Sequence, residues 1–194
     1  MNNSSSTVYV VSGLPRSGTS MMMQMLEAGG LQIMTDDIRK PDDDNLQGYF
    51  EFEKIKQLKE GNSKWMEQAC GRVIKVISAL LEHLPDAYYY KIVFMERDLL
   101  EVLASQRKML ERRGKPARAE DDLMFLNVYT KHLDNVKHWL SLNVNADVIY
   151  ISYNDLLEDP KRYAEELVRF TEIPLDVQKM TDIPKEKFYR QRSS

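Results

Sequence analysis

An α/β three-layer sandwich around a mostly parallel sheet is the fold class this 194-residue sequence predicts, and three observations carry it. Short β-branched runs alternate with helix-period stretches along the chain, as in proteins that cover a parallel sheet with crossover helices. The first run, Thr7-Val8-Tyr9-Val10-Val11-Ser12, is nearly continuous in apolar residues, the pattern of a strand buried on both faces. A glycine loop follows it at once and opens directly into a helical pattern, and in such sheets ligands bind at the carboxyl ends of the strands.

Each element has its own signal. After Gly13 to Ser20, a helix places Met22, Met25 and Leu26 on one face and stops at Gly29-Gly30. The segment from Thr35 to Gly48, rich in aspartate, reads as a surface loop or lid. Arg72 to Ile77, Tyr89 to Met95 and Ala146 to Ser152 read as further strands. Between the last two lie a helix from Asp98 to Arg113, with Asp98 as its N-cap, and one from Asp121 to Leu142. In the second of these, Leu123, Leu126, Thr130, Leu133, Val136 and Leu140 mark one face. A last helix is expected from Pro160 to Phe170, since proline is favoured in a first turn. Residues 1–6 read as a disordered tail and residues 7–194 as one domain.

Composition narrows the function. The 27 basic and 30 acidic side chains give a net charge of -3, without the basic excess of a nucleic-acid-binding protein, so any anion site is local. No apolar run approaches the ~20 residues of a membrane span, and the polar start lacks the pattern of a signal peptide. The single cysteine, Cys70, cannot form an internal disulfide, and together with eleven methionines it points to a reducing, cytoplasmic setting. His83, His132 and His138 have no metal-ligand spacing and read as surface or capping residues, so no metal is expected.

Gly13 and Gly18 are spaced as in a phosphate-binding loop, in which backbone N–H groups turn inward and the next helix adds its positive end. The standard triphosphate pattern continues with Lys and then Ser or Thr. Here Thr19-Ser20 stands instead, and the cation sits inside the loop at Arg16.

The segment Pro15-Arg16-Ser17-Gly18-Thr19-Ser20 resembles the 5'-phosphosulfate loop of the sulfotransferases that use 3'-phosphoadenosine-5'-phosphosulfate (PAPS). That resemblance implies a P-loop nucleoside-triphosphate-hydrolase-like fold and no metal. It also implies that Arg16 meets the bridging and sulfuryl oxygens, while Ser17, Thr19, Ser20 and the amides of the loop, including Gly18, hold the 5'-phosphate. A second marker is similar to the same family: Arg97 at a strand end and Ser105 eight residues later, both implied to meet the 3'-phosphate. A planar guanidinium suits bidentate phosphate contact, although an Arg97 paired with Asp98 or Glu101 and a solvent-facing Ser105 would be the ordinary reading of each residue alone. Tyr153-Asn154-Asp155-Leu156-Leu157-Glu158-Asp159-Pro160 resembles a third family segment, with a structural role.

The sequence also departs from the family. Lys75-Val76-Ile77 stands where cytosolic members carry Lys-Thr-His, so the histidine base is missing, and Lys75 remains either as a second cation for the sulfuryl group or as a solvent-facing strand lysine. Other members use a glutamate after the first helix. In Gly48-Tyr49-Phe50-Glu51-Phe52-Glu53, Glu51 is the expected base, with Glu53 as substitute, although a charged helix start explains either residue equally well. Met21 replaces the tryptophan that stacks adenine, leaving Trp65 as a candidate by type alone. Arg107, Lys108, Arg112, Arg113, Lys115 and Arg118 read as a solvated basic face that can also steer anions, and Arg190 and Arg192 as late phosphate contacts.

The leading expectation is therefore a PAPS-dependent sulfotransferase acting on a hydroxyl or amine of a small-molecule or glycan acceptor, with Glu51, Arg16 and Lys75 in catalysis. A kinase-like phosphotransferase, which would need magnesium, and a non-catalytic nucleotide-binding module stay open beside it. The acceptor and the oligomeric state have no signature in the sequence.

Overall fold

The computed structural model of the chain describes residues 7–36, 50–116, 118, 120 and 122–188. Its centre is a four-stranded, wholly parallel sheet in the order β2-β1-β3-β4. The strands are β1 (Thr7–Gly13), β2 (Val73–Lys75), β3 (Tyr89–Glu96) and β4 (Ala146–Ser152). In register, Val11 pairs with both Lys75 and Val93, and Gly13 with Met95, so the glycine loop leaves the sheet beside the end of β3. The helices are α1 (Thr19–Ala28), α2 (Leu99–Arg112), α3 (Asp122–Leu142), α4 (Tyr153–Glu158), α5 (Pro160–Thr171) and α6 (Val177–Phe188). Three short 3-10 segments cover residues 53–60, 64–69 and 78–83.

Strand alternation divides the core into two layers. Val11, Val93, Met95 and Ile151 face α1, α4, α5 and α6. Val8, Val10, Ile92 and Phe94 face the 3-10 segments and the C-terminal part of α3. Helix α1 is more buried than its expected single face: Met21, Met22, Met23, Gln24, Met25 and Leu26 are all buried, because α6 packs on the side away from the sheet.

At the amino edge of the sheet, Lys91 is only 8% exposed, and its Nζ donates to the carbonyl of Phe170 (2.8 Å) and to Glu172 Oε1 (2.9 Å). The Tyr9 hydroxyl donates to the Thr171 carbonyl at 3.3 Å. A lysine at the last turn of α5 meets carbonyls that have no intrahelical donor and complements the negative helix end.

Four expectations need correction. The second strand is shorter than Arg72 to Ile77, since the chain turns into a 3-10 segment at Ser78. The apolar stripe of α3 is buried only toward its C-terminal end: Leu133, Val136 and Leu140 meet the core, while Leu123 and Thr130 are exposed. Helix α3 leads into the start of β4, and its C-terminal half is the part that packs on the core. Pro160 does open a helix, α5, but that helix is not the last: α6 follows it with Pro184 inside. Trp65 is 5% exposed, packed edge-on to Phe52 at 5.1 Å with its Nε1 on the Asn62 carbonyl, so it cannot stack a nucleotide base. The expected tail at 1–6, most of the expected lid at 35–48, and Arg190 and Arg192 lie outside the described residues.

Candidate active site

The glycine loop connects β1 to α1 across a backbone that few residues tolerate. Gly13 has φ 145°, and a Cβ there would stand 2.6 Å from Ser17 Oγ and 2.7 Å from the Met95 carbonyl. Gly18 has φ 100°, and a Cβ there would strike the Tyr153 ring at 2.4 Å. Arg16 adopts φ 77° without being glycine, a conformation that costs an L-residue roughly 1–2 kcal/mol. Strain of this kind is tolerated where neighbouring contacts fix the turn.

Those contacts join the two markers found in the sequence. Arg16 Nε donates to Ser105 Oγ at 2.9 Å, bringing loop and α2 together across 89 residues. Arg97, at the end of β3, donates through Nη1 to the Arg16 carbonyl (3.2 Å) and through Nε to Glu101 Oε2 (2.8 Å). Its guanidinium lies 4.3 Å over the Tyr153 ring, an attractive cation–π stack. Glu101 also accepts from Asn154 Nδ2 at 3.2 Å. Asp98 caps α2 by accepting from the amides of Leu100 and Glu101, which fixes the helix carrying Glu101 and Ser105. Arg97 thus pairs with Glu101, the ordinary reading of that residue, and also reaches the backbone of the loop.

Burial pushes the Tyr153 phenol up to about 12, with Arg97 pulling it back, Glu101 adding to the rise and Arg16 opposing it. The ring is thus a neutral floor under two cations and the turn at Gly18.

Beyond β2, Lys75 Nζ donates to Ser20 Oγ at 3.0 Å, so the second cation reaches the first turn of α1. That helix has no side-chain N-cap and no acidic residue in its first turn, leaving its positive end available to an anion. Among the described residues, Ser17 Oγ, at the centre of the loop, is buried without a hydrogen-bond partner, as is Ser12 Oγ near the end of β1. A buried hydroxyl without a partner is costly, and an anion's oxygens would satisfy Ser17. The residues present therefore fit a phosphate group.

Glu51 lies on the β2 side. Ile33 bridges Val73 in parallel, and the chain continues to Thr35, whose Oγ1 donates to the Glu51 carbonyl at 2.9 Å. The Glu53 carboxylate is engaged by Lys56 Nζ at 2.7 Å, and its amide donates to Asp36 Oδ2 at 2.6 Å. Within the basic stretch, Arg107 is paired with Asp122 of α3 and so is not a purely solvated charge.

The sequence reading missed three contributors. Tyr153 looked structural, yet it carries both Gly18 and Arg97. Gln106 holds the Pro15 carbonyl through Nε2 (3.1 Å) and accepts from the Tyr129 hydroxyl (2.8 Å), tying α3 to the loop. His132, expected at the surface, is half-buried and lies 2.8 Å from Ser78 Oγ through Nε2. Only the position of Tyr153 next to a strand end gave any signal in advance.

The family model of the sulfotransferase domain matches residues 7–193. The chain belongs to the sulfotransferase family. The match makes this chain an enzyme, a sulfotransferase. Among solved structures, mouse sulfotransferase SULT7A1 complexed with PAP is similar over 100% of this chain and 68% of its own length, with a TM-score of 0.54 at 16% identity. At that identity the likeness concerns the fold, which is the α/β architecture expected from the sequence. An unliganded sugar kinase from Janibacter sp. matches more loosely, at a TM-score of 0.44 and 16% identity over 86% of this chain and 95% of its own. No curated protein matches.

Proposed function

We propose that this sulfotransferase takes its sulfuryl group from PAPS and passes it to a hydroxyl or amine acceptor, releasing 3',5'-bisphosphoadenosine (PAP). The observation that carries the reading is the junction of Arg16, Arg97 and Ser105 at the glycine loop, where a second cation and a residue of α2 join the loop that opens α1. A cofactor with one phosphate at the 5' side and another at the 3' side needs two such anion sites. The PAP named with the mouse sulfotransferase agrees in kind.

In this reading the first turn of α1, with Ser17, Gly18, Thr19 and Ser20, holds the 5'-phosphate, and Arg97 with Ser105 holds the 3'-phosphate. Arg16 stands between the two. Turning about its side chain from Ser105 toward the sulfuryl oxygens, it offsets the charge that develops on the bridging oxygen as the S–O bond breaks. Lys75, already on Ser20, supports the same charge. Glu51 is a carboxylate on the β2 side able to take the acceptor's proton. The acceptor is a small molecule or a glycan residue.

Turnover tests the reading. The protein incubated with PAPS and a panel of hydroxyl and amine acceptors, in the presence of a chelator, should form PAP together with a sulfated product. Consumption of a nucleoside triphosphate with magnesium, and none of PAPS, would contradict it.

A further inference from the structure

An acceptor hydroxyl must lose a proton as it attacks sulfur, and Glu51 is not the only group beside the β2 exit that can take one. Ser78 is buried and opens the 3-10 turn just beyond β2, three residues after Lys75. The amide of Val76 bonds the Val11 carbonyl, so this exit runs alongside the end of β1, where the glycine loop begins. His132 Nε2 meets Ser78 Oγ there at 2.8 Å, and the ring has no other hydrogen-bond partner among the described residues. One turn earlier on the same stripe of α3, Tyr129 is tied through Gln106 to the Pro15 carbonyl. The imidazole therefore lies beside the exit of β2, one turn along α3 from the residue tied to the phosphate loop.

We propose that His132, oriented by Ser78, is the catalytic residue that takes the acceptor's proton; this rests on the sulfotransferase reading above. With Nε2–H donating to Ser78 Oγ, the lone pair of Nδ1 is left for the acceptor. The acceptor O–H bond breaks toward Nδ1 as its oxygen bonds to sulfur, and the S–O bond to the 5'-phosphate breaks with its electron pair leaving on PAP. The imidazolium then returns its proton to water. Ser78 is a positioning residue. The two elements that hold the pair also expose apolar side chains, Ile77 (45%) next to Ser78 and Phe125 (41%) earlier on α3, which favours an aromatic or aliphatic alcohol over a sugar.

The test uses 2-naphthol as acceptor with His132→Ala, His132→Gln, Ser78→Ala and Glu51→Gln, and calorimetric binding of PAP as a separate readout. PAP affinity should stay within about twofold in all four. The kcat of His132→Ala should fall about a hundredfold or more and recover in part on adding imidazole, while His132→Gln stays inactive. Ser78→Ala should lower kcat with the KM for PAPS unchanged. Full activity of His132→Ala, loss that imidazole does not restore, loss confined to Glu51→Gln, or no 2-naphthol turnover by a wild type that binds PAP would each overturn the proposal. Failure of the wild type to bind PAP would instead sink the sulfotransferase reading on which it rests.

Discussion

Arg97, proposed above to hold the 3'-phosphate, is already fixed by the fold before any ligand arrives. Its side chain is 15% exposed, and Glu101, the Arg16 carbonyl and the Tyr153 ring hold three sides of the guanidinium. Ordering a long side chain costs side-chain entropy of up to ~2 kcal/mol, and here the fold has already met that cost. Tyr153→Phe keeps the ring and should leave PAP affinity within about twofold. Tyr153→Ala should weaken it roughly tenfold, from a cation–π stack worth about 1–2 kcal/mol, and titration calorimetry on both variants checks the difference. The same phenol gives a pH signature. Burial makes the folded protein hold this proton more tightly than the unfolded chain, where it titrates near 10. Its contribution to stability is therefore complete below pH 10 and lost as the pH rises toward 12. Urea midpoints between pH 9 and 11.5 should fall for the wild type and fall less for Tyr153→Phe. At this scale motif spacing singled out Arg16, Arg97 and Ser105, and the fold brings those three together at the loop. The sequence could not disclose His132, whose partner Ser78 is 54 residues away and whose helix carries no ligand pattern.

Helix α2 links the two halves of the site, and its start is set by one side chain. Asp98 accepts from the amides of Leu100 (2.9 Å) and Glu101 (3.1 Å), where no backbone carbonyl can. Asp98→Ala should cost about 1 kcal/mol in urea unfolding and should also weaken PAP binding, since Glu101 and Ser105 depend on the same helix. Elements with a local signal were legible: β1, β3, β4, α2 and α5 fall within a residue or so of the sequence reading. The misses have physical causes. Helix α6 contains Pro184 and gains its stability from packing on α1 and α5, which no local rule registers. The first half of α3 carries apolar residues that the sheet is too short to cover, so periodicity alone overstated its burial. The 3-10 segments at 53–60, 64–69 and 78–83 lack a helical run long enough to announce themselves.

Over the whole molecule, a parallel sheet with β1 at its interior places the glycine loop, Lys75 and Arg97 on one edge, although they are far apart in sequence. Because all four strands run parallel, every strand exit lies on that side. The chain as a whole is slightly acidic, so attraction of a multiply charged nucleotide comes from the local cations and is open to screening. Raising the ionic strength from about 0.01 M to about 0.15 M, which shortens the Debye length from about 30 to about 8 Å, should weaken PAP binding several-fold. Surface plasmon resonance should place most of that change in the association rate. The fold class was legible from the start, since alternating strands and helices admit few architectures; the acceptor was not, because it depends on which side chains the topology gathers at that edge.

The central claim is that Arg97 and the glycine loop form one bisphosphate-selective site. The most direct measurement is calorimetric titration of PAP into the wild type and Arg97→Ala, with adenosine 5'-monophosphate and magnesium adenosine 5'-triphosphate as comparators. Arg97→Ala should lose at least tenfold in PAP affinity, about 1.4 kcal/mol, while its affinity for the monophosphate stays unchanged. Equal binding of PAP by the two proteins, or a wild type that prefers the magnesium triphosphate, would contradict the account.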